Sequence, residues 1–460
     1  MKQLLNLLLI AGITINLYAI EFDKPVYEKS PSIFDKAKSL FSFEKPIKYK
    51  HIEIKKEDWN NDSVKVINNE ISIVSKEYRI EARKVLLLQD KSYFIFAETT
   101  KDNGASRGTM VVKFTKENQL KWVKHYKAND VMISTRFFLD NDSILISGGY
   151  STGKALGSAF IFQIDFNGNI KWANDYHEKL MVKSYNSIIK VDDGYMAVGY
   201  ITRGYTKVEY KDKSLHIKGT QQLTYSPLIT KLNLQGEKVW DKVIETKERS
   251  YAVEIEALNE NYLIRTIPTT QAQEIMIDKN GKIISKKAVK KLPAYLENQY
   301  GLAPLNVSYK SFVVKRIEKK HFQINKMDSH GNTLWKYSIK ITDNYGDKIK
   351  IIETSDGGCL IENFQYRFLK GSSYLIKLDS MGREEWKRDY VGKEGRFIFN
   401  DHVKTGKDTY LFLATRTIVL DASLKEQSKK TSFNIASQSG VLLFKLNLNS
   451  NKYEERNNLP

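Results

Sequence analysis

The chain has 460 residues, of which 41% are hydrophobic and 28% charged. That apolar content excludes disorder over most of its length. Lys and Arg outnumber Asp and Glu by 73 to 54, a formal net charge of +19. Such a field favours anionic partners such as lipid head groups, lipopolysaccharide or acidic glycans. The charges are spread along the chain rather than gathered in one run, so a Lys-rich composition that only aids solubility is the competing account. No nucleic-acid partner is expected. A single cysteine, Cys359, excludes any intramolecular disulfide. Its apolar setting, Gly358-Cys359-Leu360-Ile361, predicts a buried and unreactive thiol.

In chain order, residues 1–19 (MKQLLNLLLIAGITINLYA) read as an export signal. Lys2 supplies the positive start, Leu4 to Ile15 the apolar core, and Ala19 a small residue before a cleavage point at Ile20. The apolar part is shorter than the roughly 20 residues a membrane span needs. The mature chain is therefore expected to have no transmembrane segment and to lie in the periplasm or outside the cell. No cysteine follows the leader, which excludes a bacterial lipoprotein anchor. Residues 20–77 form a lead-in punctuated by Pro25, Pro31 and Pro46. Ser32–Phe41 is expected to form a short amphipathic helix, and HIEIKK, VKVINN and EISIVS within 51–77 are expected to be strands.

From residue 78 to 460 one unit recurs. It runs as an alternating strand, an Asp or Asn, two residues, a Gly, three residues and a Trp. The clearest copies hold Asp165, Gly168 and Trp172; Asn233, Gly236 and Trp240; Asp328, Gly331 and Trp335; Asp379, Gly382 and Trp386. Thr115, Asn118 and Trp122 form a weaker first copy. Asp278 and Gly281 form a fourth in which Ser285 replaces Trp. Asn447 and Ser450 form the last, with Tyr453 one place early. The Trp-equivalent positions, 122, 172, 240, 285, 335, 386 and about 454, are separated by 50, 68, 45, 50, 51 and 68 residues. Four-stranded propeller blades have periods of about 40–50 residues.

The chemistry of the unit is local. The Asp or Asn accepts hydrogen bonds from the turn after it, and the Gly takes the positive φ that closes a hairpin. The Trp, at a fixed offset, is placed to wedge between neighbouring blades. Two more strands precede each turn, joined by signals such as Asp192-Asp193-Gly194 and Ser355-Asp356-Gly357-Gly358. Each unit therefore reads as a four-stranded antiparallel meander. The expected fold is all-β, a seven-bladed β-propeller with a short N-terminal lead-in.

The Asp-x-x-Gly-x-x-x-Trp ending resembles the tryptophan-docking repeat of quinoprotein-like β-propellers. These include the pyrroloquinoline-quinone dehydrogenases and a propeller protein of outer-membrane assembly. The resemblance implies the fold and an extracytoplasmic location. It also departs, because the docking motif usually has one more residue, often Thr, before Gly. The adjacent-cysteine disulfide of the dehydrogenases is excluded by the single Cys359, and the lipidation cysteine of the assembly factor is absent.

The two long spacings are insertions between the second and third strands of a unit: Thr202–Tyr225 in the third, expected to form a hairpin extension, and residues 417–439 in the seventh. Insertions confined to one face mark a binding face. The candidate binding residues there are Arg203, Tyr205, Lys207, Tyr210, Lys211, Lys218, Arg367 and Lys370, a basic and aromatic rim suited to an anionic glycan, lipopolysaccharide or an envelope protein. An ordinary set of solvated polar loops accounts for the same residues. The seven His show no metal-ligand spacing. No nucleophile elbow or phosphate-binding Gly loop is present, and no catalytic residue, metal or cofactor is assigned. The sequence thus reads as a monomeric, non-enzymatic binding or scaffold propeller of the cell envelope. A quinoprotein-like dehydrogenase or a carbohydrate-active propeller enzyme is the alternative.

Overall fold

The computed structural model describes residues 53–59, 64–67, 70–75, 77–101, 107–128, 131–151, 158–176, 182–203, 207–211, 214–218, 224–246, 249–268, 272–289, 306–309, 311–318, 321–340, 348–367, 370–391, 395–419 and 437–448. The leader, the helix expected at Ser32–Phe41, and Ser450 and Tyr453 lie outside the described residues. Every regular element among those described is a β-strand.

Three strands precede the repeats, as expected: β1 (Lys55–Asp58), β2 (Val64–Ile67) and β3 (Glu70–Ile73). The first of them takes KKED rather than HIEIKK. Sets of four follow in chain order. The first is β4 (Tyr78–Leu87), β5 (Tyr93–Lys101), β6 (Arg107–Phe114) and β7 (Leu120–Lys127). The second is β8 (Val131–Asp140), β9 (Ser143–Ser151), β10 (Ser158–Asp165) and β11 (Ile170–Tyr176). In the third, β12 (Lys183–Val191) and β13 (Gly194–Arg203) are followed by an inserted pair, β14 (Lys207–Lys211) and β15 (Ser214–Lys218), before β16 (Thr224–Leu232) and β17 (Lys238–Val243). The fourth is β18 (Ser250–Leu258), β19 (Asn261–Pro268), β20 (Gln273–Ile277) and β21 (Ile283–Ala288). The fifth is β22 (Asn306–Tyr309), β23 (Phe312–Glu318), β24 (His321–Met327) and β25 (Thr333–Lys340). The sixth is β26 (Lys348–Glu353), β27 (Cys359–Arg367), β28 (Lys370–Leu378) and β29 (Glu384–Val391). The last begins with β30 (Gly395–Lys404), β31 (Thr409–Val419) and β32 (Ser437–Asn447).

Within each set the strands pair with their neighbours in chain order, the antiparallel meander of a β-propeller blade. The exception is the last, whose fourth strand comes from the far end of the chain. There β3 pairs with β32, placing Ile71 opposite Leu443 and Ile73 opposite Val441. The lead-in is therefore partly a component of the repeats. Likewise β1 lies along β7, with Lys55 opposite Lys127.

The chain divides into two compact units. One is Met1–Ile54, Ala128–Val131 and Asp140–Val289; the other is Lys55–Lys127, Met132–Leu139 and Lys290–Pro460. In the first unit, alternate residues of the third and fourth sheets meet face to face: Met196, Val198 and Ile229 pack with Ala252, Ile255, Ile264 and Ile275. In the second, Ile361 and Ile376 of the sixth sheet meet Phe312 and Ile324 of the fifth. Its opposite face, with Leu360 and Leu375, meets Phe397, Phe412 and Phe444 of the last. The last sheet in turn packs Leu411, Leu413, Val441 and Leu443, together with Ile71 and Ile73, against Ile80, Ala82, Val85 and Ile95 of the first. Period-two alternation lets one strand feed two such interfaces. Each fully buried aliphatic or aromatic side chain contributes about 1.5–3 kcal/mol.

Candidate functional site

The repeat residues are spent on turns and joints. Asp165 Oδ1 accepts the backbone N–H groups of Asn167 and Asn169, both at 2.8 Å. Asn233, Asp278, Asp328 and Asp379 do the same in their own copies. In the weak first copy Thr115 Oγ1 takes this role, and Asn118 replaces Gly at φ +64°. Asn tolerates this left-handed conformation better than most residues. The backbone donors of Asn332 and Arg383 hold the Asp328 and Asp379 carboxyls below the usual carboxylate range.

Three docking Gly residues lie against a Trp of the preceding sheet. Gly236 meets Trp172, Gly281 meets Trp240 and Gly382 meets Trp335. A Cβ at any of the three would overlap the indole. Trp335 also donates its Nε1–H to the Ser380 carbonyl at 2.9 Å. Gly331 has the same positive φ, +84°, but no atom lies within 4 Å of where its Cβ would be. The copy preceding Gly331 in sequence is the one with Ser285 in place of Trp.

A further repeat position escaped the sequence reading. Two residues before the Asp or Asn stands a Lys or Gln in most copies: Lys113, Gln163, Lys231, Lys326, Lys377 and Lys445, with Met276 the exception. Four of these side chains tie down a turn between first and second strands, Gln163, Lys231 and Lys377 in their own sheet and Lys326 in the next. Lys377, 3% exposed, reaches Asp356 at 2.6 Å and Glu385 at 3.1 Å. Burial alone would raise the Asp356 pKa, but hydrogen bonds from Lys377, Thr354 and the Gly358 amide bring it down to about 2. Lys231 pairs with Asp193 of the Asp192-Asp193 turn, and Lys326 donates to the Gly357 carbonyl. Gln163 donates to Ser143 Oγ at 2.7 Å beside the buried Asp140, which accepts from Tyr195 and Lys190 at 2.9 and 2.8 Å.

Ionisable groups converge elsewhere, on the first two strands of the sixth and last sheets. Glu362 on β27, 5% exposed, pairs with Lys350 on β26 at 2.9 Å. Its other oxygen faces His402 Nδ1 on β30 at 3.5 Å. Both of those atoms are buried without a hydrogen bond. Burial would raise the Glu362 pKa, but Lys350 first and His402 second hold it below its ordinary value. Burial would lower that of Lys350, but Glu362 and then Asp401 raise it. Asp401 follows a β-bulge on β30, pairs with Lys84 of β4 at 3.2 Å and accepts the Val85 N–H at 3.0 Å. No periodic pattern marks these residues, because each belongs to a different sheet position.

The equivalent stitch in the other unit is neutral. Ser187 follows the bulge on β12 and accepts the Ile255 N–H of β18 at 3.4 Å, while Asn186 donates to the Ala252 carbonyl at 2.8 Å. Among the described residues no group of three or more His, Cys, Asp or Glu is placed to hold a metal ion. Cys359 is fully buried, and burial pushes its thiol up to about 12, so it is an unreactive core residue.

The insertion-face candidates are reached only through the backbone. Arg203 ends β13, Lys207, Tyr210 and Lys211 lie on β14, and Lys218 ends β15. Arg367 ends β27 and opposes Lys370, the first residue of β28. Tyr205 and the side chains of the other seven lie outside the described residues. The expected hairpin extension is present: β14 and β15 pair antiparallel as a separate two-stranded sheet.

No family model and no curated protein matches the sequence. Solved structures with partial likeness include a subtype N10 neuraminidase-like protein of A/little yellow-shouldered bat/Guatemala/060/2010, 11% identical, with a TM-score of 0.33 over 83% of this chain and 99% of that one. The WD40 domain of SCAP from fission yeast is 8% identical, with a TM-score of 0.31 over 86% and 90%. The S. cerevisiae core factor is 11% identical, with a TM-score of 0.37 over 88% and 62%. The all-β propeller assignment rests on the strand pairing of this chain itself.

Proposed function

We propose that the chain is an exported β-propeller binding or scaffold protein of the cell envelope, docking a protein or an anionic polymer through its basic inserted segment. The observation that carries this reading is the β14–β15 ribbon. It is an element outside the four-stranded repeat, placed where the third sheet's second and third strands are joined. The repeat residues are already committed to turns and joints, which leaves the insertion as the part free to recognise something. Its basic residues and the net charge of +19 favour an anionic surface. Replacing Arg203, Lys207, Lys211 and Lys218 by Gln is expected to lower binding to cell-envelope fractions at least tenfold and to flatten its salt dependence. Unchanged binding would sink the reading. Tryptophan docking onto Gly236, Gly281 and Gly382 supports kinship with quinoprotein-like propellers at the level of the repeat.

A second reading, a carbohydrate-active enzyme, has one observation in its favour. Glu362 faces Nδ1 of His402, the arrangement that orients an imidazole and leaves its other nitrogen for proton transfer. Cleavage on a glycan panel that disappears in His402→Gln would establish it. Turnover unaffected by that change, or no turnover at all, returns the pair to a structural role.

A further inference from the structure

One repeat glycine is not committed to a joint. The turn at Asp328-Ser329-His330-Gly331 is built like the one at Asp379-Ser380-Met381-Gly382. Gly331 has φ +84° and Gly382 +79°. Each Gly N–H donates to the carbonyl of its own Asp at 3.1 Å. Each Asp Oδ1 accepts two further backbone N–H groups at 2.8–2.9 Å. The two turns differ in what lies on them. Gly382 carries the Trp335 ring, 2.5 Å from where a Cβ would be, and the Ser380 carbonyl accepts the indole N–H. Gly236 and Gly281, under their own indoles, are buried. Gly331 is exposed, and among the described residues no atom lies within 4 Å of its Cβ position.

The turn by itself does not require Gly. In the first copy Asn118 holds φ +64°, and its Oδ1 accepts the Tyr93 hydroxyl at 2.8 Å. What Gly adds is a backbone without Cβ, which a ring can approach closely. The chain's own indoles use that opening at Gly236, Gly281 and Gly382. In each of these the Trp arrives on a strand: Trp172 on β11, Trp240 on β17 and Trp335 on β25. No further Trp is left for Gly331. All six tryptophans fall in the described residues. Trp59 packs on Tyr78 and His125, Trp122 on Phe94, and Trp386 beside the cluster of Phe397 and Phe444. An indole for this turn therefore has to come from another molecule. The surroundings favour an acidic one, because residues 321–340 carry Lys326, Lys336 and Lys340 against Asp328, so 3 − 1 = +2 with His neutral.

We propose that the Gly331 turn is a seat for a tryptophan of a partner protein, carried on an extended segment with acidic neighbours. The indole covers Gly331 as Trp335 covers Gly382, and its N–H donates to the Ser329 carbonyl, the counterpart of that of Ser380. A buried Trp is a frequent anchor of protein interfaces. The seat belongs to the fifth sheet and not to the inserted segment, so it stands or falls separately from docking through β14–β15.

The test is a fluorine NMR titration of the full chain with the peptide acetyl-Glu-Thr-Trp-Thr-Glu-amide, its Trp replaced by fluorotryptophan. Unlabelled peptides with Trp or Ala at the centre then compete. The Trp peptide should displace the probe at a concentration at least tenfold lower than the Ala peptide. Gly331→Asn keeps the positive φ, as Asn118 does, but places a side chain on the seat; it should weaken probe binding at least tenfold. Its urea midpoint shows whether the variant is folded. A measurement on the wild type alone gives the location: the same peptide with a photoactivatable diazirine on the indole should label residues within 328–335. Three results overturn the seat: no binding or equal displacement by the two peptides, unchanged affinity in a folded Gly331→Asn, or labelling confined to other residues.

Discussion

The two compact units build the same meander yet stitch their first strands differently. In one, the residue after the bulge is Ser187, and the joint is a pair of neutral hydrogen bonds from and to the next first strand. In the other, the same place is Asp401, tied to Lys84 and lying beside Lys350, Glu362 and His402. The repeat motif therefore fixes the sheet and its outer joint but leaves the first strand free to vary. At this joint one unit places the Lys350, Glu362 and His402 cluster, while the other keeps the joint neutral, pairs Lys183 of β12 with Asp241 elsewhere and carries the inserted ribbon. The energetic consequences differ as well. A neutral hydrogen bond contributes about 1 kcal/mol net. A buried ion pair gives little net stability, but removing one partner strands the other at a cost of about 3–5 kcal/mol.

The largest expected effect tests that contrast. Glu362→Ala leaves Lys350 without its partner and should lower stability by about 3–5 kcal/mol, read as a shift in urea midpoint. A loss no greater than that of a neutral stitch would remove the distinction between the units. Next comes a matched pair of glycines within the charged unit. Gly382→Ala must accept φ +79° and overlap Trp335, for a loss of about 3 kcal/mol. Gly331→Ala meets only the positive φ, for about 1–2 kcal/mol. Equal losses would show that the indole yields freely.

A pH effect of intermediate size belongs to the same unit. Burial, and then Lys127, depress the His125 pKa to about 3, and its Nε2 lies 2.6 Å from Thr99 Oγ1. The unfolded chain binds this proton near pH 6.5 and the folded chain does not. The stability due to neutral His125 is thus complete above about pH 6.5 and falls as pH drops toward 3. At pH 5 the loss should be about 2 kcal/mol. His125→Asn should flatten the midpoint difference between pH 7.5 and pH 5, a window above the carboxylate range. A slope that persists in this variant would assign the effect to another group. The smallest effect is Ser187→Ala, at about 1 kcal/mol, measured in the same urea series as Glu362→Ala.

The meanders were legible in the sequence because their signals are local. Asp-x-x-Gly-x-x-x-Trp combines turn chemistry with a fixed strand offset, and even the degenerate first copy kept a usable hydroxyl in Thr115 and a left-handed Asn118. The Lys or Gln two residues before the Asp was visible but carried no reason until Lys377 was seen on Asp356. The Glu362–His402 pair was not legible at all. Its members are 40 residues apart in sequence and belong to different sheets, so no spacing rule joins them.

The sequence by itself determined the repeat, its period, the turn conformations and the place of the insertion, because each depends on residues within one hairpin's reach. Tertiary structure alone decided that β3 completes the last sheet, that Trp172, Trp240 and Trp335 each serve the sheet after their own, and that Glu362 meets Lys350 and His402. Those outcomes depend on which faces and edges are left to be covered once the hairpins have formed. Strand β3 carries Ile71 and Ile73 on one face and backbone groups that need a ladder partner; β32 has an open edge beside Val441 and Leu443, and the two satisfy each other.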